Sequence, residues 1–386
     1  MRLLKYSSII VAGAGILLAT VLGLAACNMN DTASFTGTTA LKEGLTRLPD
    51  LHEQRAAHSA TLLPGGKVLI AGGFRKSSNT YSQLYTQTAE LFDPVSRSFS
   101  FTGSMQIARC GQEATLLPGG DVLITGGNND TPHLASAELY SGSTGTWTRL
   151  PDMLAGREGH RAVLLTNGKV LIVGGSRNPD LYAELYDPAT RTFEKAGAAP
   201  IPLSGSTVVQ LRDGRIFISG GWLQDNQPVQ YTLLYDPSAN RFTRGPDLDI
   251  VKYKAGAALL PDGKVIIIGG SNNRDWKGKY NSTEIYDPAT NRYTRGPGLH
   301  FGRFKLKNAV VTLRNGAIVV AGGNNHIEIL SPADTAFKVA ATLDQPYYFS
   351  TATLLPSDKI LLTGGYGNDV QCNGKSWLYD PAVKLR

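Results

Sequence analysis

Seven glycine pairs constrain this chain more than any other feature. Each follows a short apolar run, and they fall at 72–73, 126–127, 174–175, 220–221, 269–270, 322–323 and 364–365. The steps between them are 54, 48, 46, 49, 53 and 42 residues. A supersecondary unit repeated at a period of roughly 50 residues cannot bury its apolar face alone and must stack against copies of itself.

Each unit has one grammar. A strand such as 58–63 (HSATLL) leads to the turn Pro64-Gly65-Gly66, a second strand (KVLIAGG, 67–73) ends in the diglycine, and a variable loop follows. A third strand (AELFDP, 89–94) ends in an Asp-Pro turn, and a fourth carries Phe99, Trp147, Phe193, Phe242, Tyr293 or Phe337. Four short antiparallel strands per unit make a propeller blade. These repeats resemble the kelch family over about 340 residues. The resemblance implies an all-β, seven-bladed kelch-type β-propeller.

The blades are expected at 52–105, 106–153, 154–199, 200–248, 249–299, 300–343 and 344–386. The last stops just after its third strand, at WLYDPAVKLR (377–386). The missing fourth strand is at the other end of the chain. Leu45-Thr46-Arg47-Leu48-Pro49-Asp50-Leu51 matches the fourth strand of blade 2, Trp147-Thr148-Arg149-Leu150-Pro151-Asp152-Met153. Residues 45–51 are therefore expected to close blade 7 and cover its open edge.

Before the propeller lies an address. Arg2 and Lys5 precede an apolar stretch over 8–26, which ends in Leu24-Ala25-Ala26-Cys27. A charged start, an apolar core and small residues describe a secretory signal. The last four residues resemble a bacterial lipobox, which implies cleavage after residue 26 and lipid on the Cys27 sulfur. Asn28 in place of Asp leans toward the outer membrane. Residues 27–44 read as a polar tether, and 45–386 as the propeller. The expected setting is the bacterial cell envelope, with membrane contact through the lipid anchor only and the propeller a monomer.

Composition removes several classes. Apolar residues at 42% and charged residues at 18% exclude wholesale disorder. The net charge of +7 comes without a basic run, so no nucleic-acid partner is expected. Gly-x-Ser-x-Gly, Walker and His-Glu-x-x-His motifs are absent. His58 and His160 occupy equivalent first-strand positions and read as packing residues, and His133 and His326 lack ligand spacing. No metal or cofactor is expected. An exported compartment would permit a bond between Cys110 and Cys372, but two cysteines are not a disulfide framework.

Aligning the blades on their turn glycines places Arg55, Arg109, Arg157, Lys252 and Lys305 at the start of the first strand, near the central channel. The same five blades carry Glu90, Glu138, Glu184, Glu284 and Glu328 on the third strand. Blade 4 has Leu203 and Leu233 instead, and blade 7 has Tyr347 and Trp377. Cation and carboxylate vanish together, as expected if each buried charge requires its partner. The expected pairs are Arg55–Glu90, Arg109–Glu138, Arg157–Glu184, Lys252–Glu284 and Lys305–Glu328, with the diglycine making room for the cation to cross.

The loops after the diglycines share a face with these strand starts. That face offers Trp222, Arg274, Trp276, Lys277, Tyr280, Lys254, Lys307, Tyr347, Tyr348 and Tyr366 as candidate ligand contacts, with Arg75, Lys76 and Arg303 nearby. Aromatic rings beside cations suit a sugar or an acidic glycan. The competing reading is ordinary loop and interblade packing. Asp225, Asp275 and Asp369 are the loop carboxylates a glycoside-processing site would need to pair.

The repeats also resemble the propeller of galactose oxidase, a copper-radical enzyme. The Tyr-His ligand pair of its last blade aligns with Tyr348-Phe349, before Thr353-Leu354-Leu355-Pro356. Its radical tyrosine aligns with Gly111, and its thioether cysteine has no counterpart in Gln54-Arg55-Ala56-Ala57. Phenylalanine and glycine cannot bind copper, so an oxidase is not expected. Periplasmic sialic-acid epimerases share the architecture but no diagnostic motif. The leading expectation is a non-catalytic binding module for a glycan or an envelope protein. The alternative is a carbohydrate-active isomerase on the same face.

Overall fold

The computed structural model describes residues 44–76, 83–131, 133–223, 227–272 and 278–383. The expected signal at 1–26, the expected lipidation site Cys27 and nearly all of the expected tether lie outside them, as do Asp225, Arg274, Asp275, Trp276 and Lys277.

Seven four-stranded antiparallel sheets form the blades of a β-propeller. Blade 3 is representative: strands Arg161–Leu164, Val170–Val173, Ala183–Asp187 and Thr192–Lys195 pair in sequence order. Blade 7 is the exception in connectivity. Its strands Thr351–Leu354, Ile360–Thr363 and Ser376–Tyr379 are completed by Leu45–Arg47, in the register Leu45↔Tyr379, Thr46↔Leu378 and Arg47↔Trp377. Each first strand packs against the first strand of the next blade, and that of blade 7 returns to blade 1, so the ring closes.

The second strands explain the apolar runs. Segments such as Val170–Val173 and Val265–Ile268 are buried at every residue. A strand in the middle of a blade has a neighbouring blade on each face, so it loses the usual apolar–polar alternation. Among the described residues the core is correspondingly partitioned into seven clusters, one per blade interface, and an eighth on the axial side. Leu165, Leu171, Ile216, Ile218 and Leu233 seal blades 3 and 4; Leu48, Val68, Ile70, Leu361 and Leu378 seal blades 7 and 1.

The diglycines do more than make room for a cation. At Gly126, φ is +57°, and a Cβ there would lie 2.8 Å from the Arg157 carbonyl of the next blade. The N–H of Gly127 donates to that same carbonyl at 2.9 Å. Gly73 meets Arg109, Gly221 meets Lys252, Gly270 meets Arg303, Gly323 meets Tyr347 and Gly365 meets Arg55 in the same way. A side chain at the pair would hold neighbouring blades apart.

Candidate functional site

The buried charges are scaffold in geometry. Arg55 Nη2 lies 2.8 Å from Glu90 Oε1, Arg109 Nη2 2.9 Å from Glu138 Oε1, and Arg157 Nη2 2.6 Å from Glu184 Oε1, with all six side chains fully buried. Each guanidinium also donates to the carbonyl of the first diglycine residue, at 2.8 Å in all three blades. Each carboxylate accepts two N–H groups of the segment that enters the blade, as Glu184 does from Leu154 at 2.7 Å and Ala155 at 3.0 Å. The pair thus ties the incoming connection to the sheet, and its polar capacity is largely satisfied. In blade 5, Lys252 stands 3.8 Å from Glu284 and donates instead to Gly269 O and Ser282.

Blade 6 corrects the expected pairing. Glu328 is met by Arg303, with Nη2 at 2.5 Å and Nε at 2.9 Å, and not by Lys305. The turn glycines misalign this blade because it holds two extra residues between the strand start and Val310–Thr312. Lys305 is instead the homologue of Ala57, Gly111, Gly159, Gly205, Lys254 and Phe349. All seven have φ between +52° and +68° and ring the axis. Lys305 donates to the Tyr366 hydroxyl and lies over the rings of Phe304, Phe349 and Tyr366 at 4.7, 5.1 and 5.0 Å. Burial, with Lys254 and Lys279 adding repulsion, pushes its amine down to about 7.

Above this ring is a cavity of about 460 Å³, lined by residues from all seven blades. Of the sequence candidates, Trp222, Lys254, Lys307 and Tyr366 reach it. Tyr347 and Tyr348 do not: they are 3% and 1% exposed. Tyr347 takes the scaffold-cation position, where its hydroxyl donates to Asp344 at 2.6 Å, and Tyr348 receives the Lys279 ammonium at 2.9 Å. Tyr280 lies outside the lining, beside Lys252. Asp369 caps its own turn through the N–H of Gln371, and Glu158 is the only carboxylate lining the cavity among the described residues.

Lys307, one of the extra residues of blade 6, crosses the axis. Its ammonium donates to Gly111 O at 3.1 Å and Gln112 O at 2.9 Å and pairs with Glu113 at 2.8 Å, all in blade 2. Arg161 meets the same carboxylate at 3.3 Å. This charged bar forms part of the cavity floor.

Blade 4 builds one wall. Trp222 stacks on Tyr253 with centroids 4.3 Å apart and planes at 23°. Gly205 permits this, since a Cβ there would lie 2.5 Å from the Tyr253 ring. Lys254 stands beside the stack, 4.6 Å over Tyr253 and 5.2 Å over Phe349. Burial pushes its amine down to about 8 against the pull of Glu158. Glu158 was not among the residues singled out in the sequence. Its signal was there: at the position just after the scaffold cation the blades carry Ala56, Cys110, Glu158, Ser204, Tyr253, Phe304 and Tyr348, and Glu158 is the only charge.

His58 and His160 clamp neighbouring blades. His58 Nε2 meets Thr351 and Thr363 of blade 7 at 3.1 and 3.0 Å, and His160 Nε2 meets Thr125 of blade 2 at 3.0 Å. Burial first, then nearby cations, drives the His58 imidazole down to about 3 and His160 well below its ordinary value. Cys110 and Cys372 are free, buried thiols in one apolar cluster on the axial side. Among the described residues, no group of three or more His, Cys, Asp or Glu side chains is placed to hold a metal.

The kelch motif profile matches residues 114–154 and 256–300, covering most of blades 2 and 5. No curated protein matches the chain. Among solved structures, a novel fungal alcohol oxidase of the AA5 family, in complex with copper, aligns with a TM-score of 0.70 at 18% identity, covering 87% of this chain and 75% of that one. At that identity the likeness is one of fold. The chain is a seven-bladed β-propeller that carries the kelch motif in two of its segments and shares its fold with that oxidase.

Proposed function

We propose that this propeller is a non-catalytic binding module, carried on the bacterial envelope by a lipid at Cys27, that takes a glycan in its axial cavity. The observation that carries the reading is the wall of that cavity. The flat Trp222–Tyr253 stack stands beside charged groups that the scaffold does not consume. A sugar ring presents an apolar face to an aromatic platform and its polar edge to such groups. The volume of about 460 Å³ falls within the ordinary range for small-molecule sites.

A copper-radical centre does not fit these residues. The axial positions that would supply its ligands hold Phe349 and Gly111, which offer no donor atom, and Tyr348 is buried against Lys279.

The test is a saccharide panel titrated into the full chain, read by tryptophan fluorescence and calorimetry. Binding at millimolar or better is expected, weakened roughly 5- to 10-fold by Trp222→Ala, since loss of an aromatic platform costs on the order of 1–1.5 kcal/mol. No binding by any sugar at millimolar concentration would overturn the reading.

A further inference from the structure

Two half-buried opposite charges face the axial cavity with neither a hydrogen bond nor an ion pair, while the third such group of the lining, Arg177, is exposed to solvent. Glu158 enters from blade 3 and Lys254 from blade 5, and both line the cavity. Among the described residues neither carboxylate nor ammonium makes a hydrogen bond or an ion pair. They are near enough for the carboxylate to act on the amine, yet they stand beyond ion-pairing distance. This sets them apart from the other charged groups of the interior. The scaffold pairs are closed on themselves, and Arg161 and Lys307 are both held by Glu113. Between the two unpaired groups lies blade 4, with Gly205 on the ring and the Trp222–Tyr253 stack above it.

A ligand filling this space strips water from both groups. A purely anionic ligand would satisfy Lys254 and oppose Glu158, a purely cationic one would do the reverse, and a neutral one would leave two desolvated charges without counterions. Only a ligand carrying both charges answers both walls. We infer that the cavity is a receptor for a zwitterionic saccharide, a sugar bearing an ammonium directed at Glu158 and a carboxylate directed at Lys254, with its ring on the Trp222–Tyr253 stack. This inference rests on the glycan reading above and narrows it to one class of ligand.

Four sugars separate the charges. Muramic acid carries both an ammonium and a carboxylate, N-acetylmuramic acid only the carboxylate, glucosamine only the ammonium, and N-acetylglucosamine neither. Calorimetry with the full chain is expected to show muramic acid binding at least ~10-fold tighter than each of the others, a difference of about 1.4 kcal/mol. Glu158→Gln should lower muramic acid to the affinity of N-acetylmuramic acid, and Lys254→Met to that of glucosamine. Both variants should melt near the parent temperature, because each side chain faces the cavity. Lys254→Gln serves as a second neutral variant should the methionine perturb the fold. Equal affinity for the four sugars, or a preference that survives both substitutions, overturns the zwitterion inference and leaves the cavity a sugar site. Free alanine binding as tightly as muramic acid overturns the saccharide part. Failure of all four sugars at millimolar concentration overturns the glycan reading itself.

Discussion

Blades 3 and 4 are adjacent, share one backbone plan and divide the work between them. Blade 3 holds its incoming connection with Arg157 and Glu184, both fully buried. Blade 4 has Leu203 and Leu233 at those positions, 1% and 0% exposed, and holds together by apolar packing. A buried ion pair and a leucine pair are thus alternative answers to one structural question. What distinguishes the blades at the cavity is the next residue along. Blade 3 places Glu158 in the cavity, and blade 4 places Ser204, with Gly205 admitting the aromatic stack. The conspicuous charges are frame, and the site is built from positions one and two residues beyond them.

The sharpest way to break this comparison is Arg157→Ala. It strands Glu184 in the interior and should cost about 3–5 kcal/mol, read from the chemical denaturation midpoint. The double change Arg157→Leu with Glu184→Leu rebuilds the blade 4 arrangement and should recover most of that loss. Recovery of less than half would mean that the pair does more than fill and satisfy its site.

Acid should separate the interfaces next. His58 and His160 are held neutral when folded, while their unfolded forms titrate near 6.5. Between that value and about 3 for His58, the unfolded chain binds more protons, so stability must fall as pH falls through this window. The slope is at most ~1.4 kcal/mol per pH unit for each histidine. Blade 2 has Gln112 at the same position, donating to Ala71 O of blade 1 at 2.8 Å. His58→Gln should therefore flatten the acid limb of the stability profile. An unchanged limb would assign the acid sensitivity elsewhere.

The smallest effect on stability should come with a large one on binding. A Cβ at Gly111 meets nothing within 4 Å, and its φ of +66° matches that of Phe349 at +54° on the same ring. Gly111→Phe should fold at a cost of about 1–2 kcal/mol for the left-handed backbone and fill part of the cavity. Saccharide titration should then show loss of binding with a retained thermal transition. Wild-type affinity in this variant would move the ligand off the axis.

The repeat period, the diglycines and the apolar runs were enough to give seven blades, and the match between residues 45–51 and 147–153 located the closing strand. Those signals are legible because strand order and burial repeat with every blade. The co-loss of cation and carboxylate likewise pointed to Arg157 and Glu184, whose contact lies within one repeat. Blade 6 escaped because two extra residues shift the alignment, and its register is seen in the tertiary contacts of Arg303, to Glu328 within the blade and from Gly270 N across the boundary. The cavity escaped for a related reason. Its walls come from different blades, so Glu158, Trp222 and Lys254 are neighbours only once the ring has closed. The sequence by itself determined what each blade is, because a blade is made by local pairing and periodic burial. Tertiary structure alone decided which charges were consumed by the frame and which were left facing the axis, because that depends on what the other six blades bring to the same point.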